Sequence, residues 1–204
     1  MPHLIFRRGK GSEKEMGQYY KDLQNIVRGG AKSTDIQFAG KPSDVDDTLI
    51  CFTDGACLRG DTHSERQAGW GYIICDSHGI LVQAHGPVVT SPVFEGYLGA
   101  IECTNNTGEL TAIAKLLQDI LSEKHNTMDG IRIVVINYDS KYAAGITQGI
   151  YRINSNNILA RVCRDLYHRA ESHYRMQLRY VKGHSGNKGN ELADELANKG
   201  AQGL

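Results

Sequence analysis

TLICFTDGACLRGDTHSERQAGWGYIICDSHGILVQAHGPVV, residues 48–89, decides the fold class. Thr48–Thr53 is a short apolar run rich in β-formers, Ala68–Cys75 is a second, and Ile80–Val89 is a third. β-Branched and aromatic residues suit a pleated, half-buried surface, and clusters of Gly, Asp and Ser between such runs mark turns. Asp76-Ser77-His78-Gly79 is such a turn between the second run and the third. Three consecutive strands joined this way predict an antiparallel meander.

Downstream the periodicity changes. Glu109–Lys124 carries Leu110, Ile113, Ala114, Leu117, Ile120 and Leu121 at helical spacing. Ile131–Ile136 (IRIVVI) is strongly apolar, as strands buried under helices are. A short helix over 140–146, a longer one over 158–170, a strand over 176–181 and a helix over 189–199 follow. The order βββαβαβα, up to one small helix, predicts an α/β fold. Its mixed five-stranded sheet is antiparallel in the first three strands, parallel afterwards, and flanked by helices.

The chain has 204 residues, enough for one domain plus an appendage. Residues 1–47 read as the appendage and 48–204 as the domain. Met16, Tyr19, Tyr20, Leu23, Ile26 and Val27 predict one short amphipathic helix in an otherwise disordered tail, which Lys41-Pro42-Ser43 and the acids Asp44, Asp46 and Asp47 close. No apolar run is long enough to span a bilayer, so no membrane partner is expected. The N-terminus lacks the apolar core of a secretory signal. Arg7, Arg8 and Lys10 suit a mitochondrial presequence, whereas Glu13 and Glu15 do not. The five cysteines are odd in number and irregularly spaced, with no CxxC pair. Reduced structural thiols are expected, with no zinc site. An intracellular, reducing compartment follows, the cytoplasm or nucleus, with the mitochondrion left open.

Lys and Arg number 23 and so do Asp and Glu, which taken alone argues against a nucleic-acid binder. The charge is uneven, however. Between Tyr151 and Lys188 stand Arg152, Arg161, Arg164, Arg169, Arg175, Arg179, Lys182 and Lys188, against only Asp165 and Glu171. A basic surface can therefore coexist with an acidic site elsewhere.

Four acids fall where elements begin, end or face the sheet: Asp54 after the first strand, Glu109 opening the first long helix, Asp139 after the buried strand, and Asp194 in the last helix. Each has an ordinary explanation. Asp54-Gly55 suits a turn, Glu109 a helix N-terminus, Asp139 a helix cap and Asp194 a solvated helix face. Gathered at one sheet edge, the four would repel one another strongly and would call for a divalent cation. Oxygen-only ligands select Mg²⁺ or Mn²⁺, and two such ions are suited to in-line phosphoryl displacement.

The chain resembles the type 1 ribonucleases H. The resemblance rests on Phe52-Thr53-Asp54-Gly55-Ala56, Thr104-Asn105-Asn106-Thr107-Gly108-Glu109-Leu110, Asp139-Ser140-Lys141-Tyr142 and Val181-Lys182-Gly183-His184-Ser185-Gly186, and continues into Gly189-Asn190-Glu191-Leu192-Ala193-Asp194-Glu195-Leu196-Ala197. It implies the ribonuclease H-like mixed sheet. It also implies a two-metal site at Asp54, Glu109, Asp139 and Asp194, and hydrolysis of the RNA strand of an RNA–DNA hybrid to 3′-hydroxyl and 5′-phosphate ends. His184 would assist proton transfer or product release, and a histidine has the ordinary pKa for that near neutral pH. The resemblance assigns substrate contacts to Gly55, Cys57, Thr104, Asn105, Asn106 and Lys141, with Gly55 and Cys57 approaching ribose 2′-hydroxyls. It implies a hybrid as partner and a monomer.

Three alternatives stay open: a ribonuclease H domain from a retroelement, a non-catalytic hybrid or RNA binder of the same fold, and a strand-transfer or junction-resolving nuclease of the wider superfold. The complete carboxylate set argues against the second. Asn105-Asn106 and the Lys-Gly-His-Ser-Gly loop argue against the third. The sequence also departs from the family. Gly145–Asn157, where many members carry a basic, tryptophan-rich protrusion, is short and holds one basic residue and no Trp. Weaker substrate grip is expected. The single Trp, Trp70, reads as core. Tyr138 stands where the family has a small hydroxyl residue, and Gly108 reads as an inexpensive glycine at a helix start.

Overall fold

A computed structural model describes residues 47–58, 66–122, 130–153 and 157–204. The elements are β1 (Thr48–Leu58), β2 (Gln67–Asp76), β3 (Gly79–Pro87), α1 (Asn105–Leu121), β4 (Ile133–Tyr138), α2 (Lys141–Thr147), α3 (Asn157–Glu171), β5 (Arg175–Tyr180) and α4 (Lys188–Gln202). They form one sheet in the order β3-β2-β1-β4-β5. β1, β2 and β3 pair antiparallel, whereas β1–β4 and β4–β5 are parallel. The meander and the crossovers are those the hydrophobic pattern predicts. The β2–β3 turn closes because Asp76 Oδ1 accepts from the backbone N–H of His78 and of Gly79, at 2.7 and 3.0 Å. The expected appendage, with its helix at Met16–Val27, and the β1–β2 connection lie outside the described residues. Among those residues no helix is long and apolar enough to cross a membrane.

Strand alternation sorts the core into two layers. Leu49, Cys51, Tyr72, Ile74, Val134 and Ile136 face α1, α2 and α3, meeting Leu110, Ile113, Leu117, Ile146, Leu159 and Cys163. Ile50, Phe52, Ile73 and Cys75 face the other way, onto Ala193 and Leu196 of α4. Trp70 is half-buried, as expected of a core residue. It stacks on Tyr72 with centroids 5.9 Å apart, and its Nε1 donates to Pro87 O at 3.1 Å.

Three boundaries differ from the sequence reading, and each difference bears on the acids. β1 runs on to Leu58, so Asp54 lies inside the strand and not in a turn: β2 keeps pairing with β1 well past the residue where β4 stops. α1 begins at Asn105, because Thr104 and Thr107 form a reciprocal capping box one turn upstream of the first apolar stripe. Glu109 is therefore in the second turn, and the dipole at the helix start does not account for it. Ser140, not Asp139, caps α2, with its Oγ accepting from Ala143 N at 3.2 Å. The basic cluster is also smaller than its count. Arg164 donates to Ile146 O and Tyr151 O, closing the end of α2, and Lys188 pairs with Glu191.

α4 lies directly on the β2 backbone. A Cβ at Gly69 would stand 2.1 Å from Ala201 N, and one at Gly71 would stand 2.5 Å from Ala197 N. Overpacking a core typically costs about 1–3 kcal/mol, and here the obstruction is backbone. Gly71→Ala should therefore lower stability in urea unfolding by about 3 kcal/mol. A loss under about 1 kcal/mol would show that α4 can lift off the sheet without penalty.

Candidate active site

Phe52 and Asn137 are the last parallel pair between β1 and β4, and Asn137 Nδ2 donates to Cys51 O at 2.9 Å, pinning the two strands where they part. Two residues past that pair stand Asp54, still within β1, and Asp139, just beyond the end of β4. Glu109 arrives from α1, which sits against the β1 backbone. A Cβ at Gly55 would be 2.1 Å from Glu109 N, and one at Gly108 would be 2.7 Å from Gly69 O. A glycine inside a helix costs about 1 kcal/mol against alanine. Gly108 is inside α1, so it is not the inexpensive residue the sequence suggested; close approach is its reason.

Asp54 and Glu109 are buried, at 6% and 8% exposure, and Asp139 is half-buried. One carboxylate oxygen from each lies within 4.8 Å of the others. Asp194 does not join this group. It is half-buried on α4, and its Oδ1 accepts from Asn198 Nδ2, one turn on, at 3.0 Å. Its charge still reaches Asp54 and Asp139. Three of the four predicted acids thus converge, and the fourth faces them from the rim.

The cluster is strained electrostatically. Burial, then the Asp139 charge, pushes the Asp54 carboxyl above its ordinary range, although the Gly55 N–H bonded to it at 2.7 Å works in the opposite direction. Burial, then Asp54, pushes Glu109 well above its own range. Asp139 is raised by burial, while Asn190 and His184 favour its charged form.

The remaining predicted residues surround this centre. His184 is exposed in the loop before α4, with φ of 51°. Asn105 and Asn106 are exposed in the first turn of α1, preceded by Thr104, whose hydroxyl serves the capping box. The Cys57 thiol points to Leu58 O and Cys103 O. Lys141 is exposed at the start of α2, with its Nζ 4.8 Å from the Tyr180 ring centroid. Sequence reasoning gave no role to Gly183 or Asn190, which flank Asp139 Oδ2, or to Asn198. The available signal was a regular spacing of Asn190, Asp194 and Asn198 along one helix face.

The model of the RNase H family matches residues 46–202. The chain belongs to the RNase H family. It is 33% identical over 160 residues to the ribonuclease H of Francisella philomiragia, covering 74% of this chain and 89% of that one. It is 31% identical over 173 residues to that of Methylococcus capsulatus, covering 79% and 94%. Among solved structures it is similar to the RNase H1 of Halobacterium salinarum, with a TM-score of 0.55 at 19% identity, covering 77% of this chain and 99% of that one. It is also similar to LC11-RNase H1 in complex with an RNA/DNA hybrid, with a TM-score of 0.54 at 22% identity, covering 76% and 96%. The relatives and the family match together identify a ribonuclease H enzyme, and the solved structures carry the same fold.

In the metal-free RNase H the raised carboxyls bind more protons folded than unfolded. Their stabilising contribution is complete below the ordinary carboxylate range and is lost as pH rises through the raised values. The melting temperature in chelator should therefore fall between about pH 5 and about pH 8. Asp54→Asn should flatten that fall and melt higher than the parent at the alkaline end. Parallel curves for the two proteins would contradict an electrostatically strained cluster.

Proposed function

We propose that this RNase H hydrolyses the RNA strand of an RNA–DNA hybrid, as a monomer, leaving 3′-hydroxyl and 5′-phosphate ends. The observation that carries the reading is the convergence of Asp54, Glu109 and Asp139 within 4.8 Å at the sheet edge, with Asp194 beside them. The donor set is oxygen only, which suits Mg²⁺ or Mn²⁺ and not a softer ion. The gathering of buried acids, raised by burial and by one another's charge, supports divalent cations held by Asp54, Glu109, Asp139 and Asp194. Such ions, when bound, stabilise charge on the attacking and leaving oxygens of an in-line displacement.

The chain's own groups divide the remaining work. Asp54 and Glu109 are buried and fixed by the β1–α1 contact, so they set the position of the centre. Asp139 and Asp194 are half-exposed and face the substrate side. His184, exposed and carried between Gly183 and Gly186, moves a proton at the reacting phosphate or aids departure of product. A ribose 2′-hydroxyl approaches the backbone of Gly55 and Cys57, the contact that separates RNA from DNA. Asn105 and Asn106 reach a groove from the first turn of α1, and Thr104 and Lys141 take backbone phosphates. The solved complex of LC11-RNase H1 with an RNA/DNA hybrid supports a hybrid as the substrate.

With labelled hybrid, double-stranded RNA, double-stranded DNA and single-stranded RNA, cleavage should occur only in the hybrid, only in its RNA strand, and only with Mg²⁺ or Mn²⁺. Equal cutting of double-stranded RNA, or full activity in chelator, would defeat the reading. Within one such assay at saturating Mg²⁺, His184→Ala should slow turnover by about 10²- to 10⁴-fold and keep Mg²⁺ affinity by calorimetry. Asp139→Asn should be slower still. A His184→Ala protein that has lost Mg²⁺ would make His184 a ligand; one with full turnover would remove it from the mechanism.

A further inference from the structure

Asp139 is the most exposed of the three converging carboxylates, and it stands one residue past the end of β4. Two residues stand against its Oδ2. Gly183 is so near that a Cβ there would lie 2.7 Å from that oxygen. On the other side Asn190 Nδ2 stands 3.5 Å away, a long hydrogen bond. Asn190 is only 4% exposed, in the first turn of α4, where its backbone N–H donates to the capping Asn187 side chain at 3.1 Å. Its Oδ1 is buried with no hydrogen-bond partner. A buried amide oxygen left unpaired is costly. Turning the amide over does not relieve it, because Oδ1 would then stand against an Asp139 oxygen, acceptor against acceptor.

The same face of α4 carries a second amide–carboxylate contact two turns after Asn190, where Asn198 Nδ2 donates to Asp194 Oδ1 at 3.0 Å. Asn190, Asp194 and Asn198 thus form a stripe at helical spacing that meets the site with alternating amides and a carboxylate. An amide held against a carboxylate fixes that carboxylate's rotamer. An unpaired acceptor beside it suits a donor that arrives with the bound ion.

We propose that Asn190 is a positioning residue of the cation site. Its Nδ2 orients Asp139, and its Oδ1 accepts a hydrogen bond from water that enters with the divalent cation. The inference rests on the reading of these acids as a Mg²⁺ site in a hybrid nuclease. It also ties the His184 loop to the metal site, because Asn187, which ends that loop, holds the Asn190 backbone.

The test compares the full-length parent with Asn190→Ala and with Asn190→Asp, which keeps the volume and removes the donor. Loss of a group that orients a metal ligand typically costs about 10- to 100-fold in metal affinity or activity. In Asn190→Ala, Mg²⁺ affinity by calorimetry without substrate should fall by that range. In Asn190→Asp, kcat at saturating Mg²⁺ should fall at least about tenfold, with KM for the hybrid within about twofold of the parent. Both variants should melt within a few degrees of the parent in chelator. The inference is overturned if both variants keep Mg²⁺ affinity and kcat within about threefold of the parent. It is overturned equally if activity falls only in step with a lowered melting temperature while Mg²⁺ affinity is unchanged. A parent that binds no Mg²⁺ overturns the functional reading and this inference together. A parent that binds Mg²⁺ but leaves the hybrid intact overturns the functional reading alone, and calorimetry on Asn190→Ala still decides this one.

Discussion

Three carboxyl groups within 4.8 Å of one another cannot all be charged where water is largely excluded. The architecture around them keeps them together against that repulsion. β1 continues past the end of its pairing with β4, so Asp54 keeps β2 on one side and has no strand partner on the other. Gly55 and Gly108 let α1 press onto the β1 backbone, which brings Glu109 beside Asp54. The glycines of β2 let α4 lie flat on the other face, which sets Asn190 and Asp194 beside Asp139. In the metal-free protein the conflict shows as carboxyls raised by burial and by one another's charge; a divalent cation would meet it by neutralisation.

Much of this was legible in the sequence. The switch from strand-like runs to helical stripes gave the order of elements and the sheet's change from antiparallel to parallel, because side-chain periodicity reflects which faces are buried. The acids were visible as candidates because they sat at element boundaries. The boundaries themselves were misplaced, and for definable reasons. Asp54-Gly55 has the composition of a turn, yet β2 goes on pairing with β1 for four further residues, through Leu58. The start of α1 is set by a polar capping box that carries no hydrophobic signal, so a reading by apolar stripe placed it one turn late. Asp194 looked equivalent to the other three acids, because sequence spacing cannot show that it stands at the rim of their group, bonded to Asn198.

The basic residues teach a related lesson. A count along the chain marked the stretch before α4 as a surface for a polyanion. Packing then assigns Arg164 to the end of α2 and Lys188 to Glu191, and leaves Arg152, Arg161, Arg169 and Lys182 exposed. Without the tryptophan-rich protrusion of many relatives, recognition in the proposed account rests on the site edge, where Asn105, Asn106 and Lys141 are exposed around the acids. A centre of this kind relies on position more than on overall charge, consistent with a chain of zero formal net charge.

The central claim is that a divalent cation takes the place of protons held by the buried acids. Calorimetric titration of Mg²⁺ into the metal-free protein near neutral pH, repeated in buffers of different ionisation enthalpy, counts the protons that leave as the ion binds. The account predicts a net release of protons, and a smaller release for Glu109→Gln. Mg²⁺ binding with no proton release, or release that Glu109→Gln leaves unchanged, would contradict it.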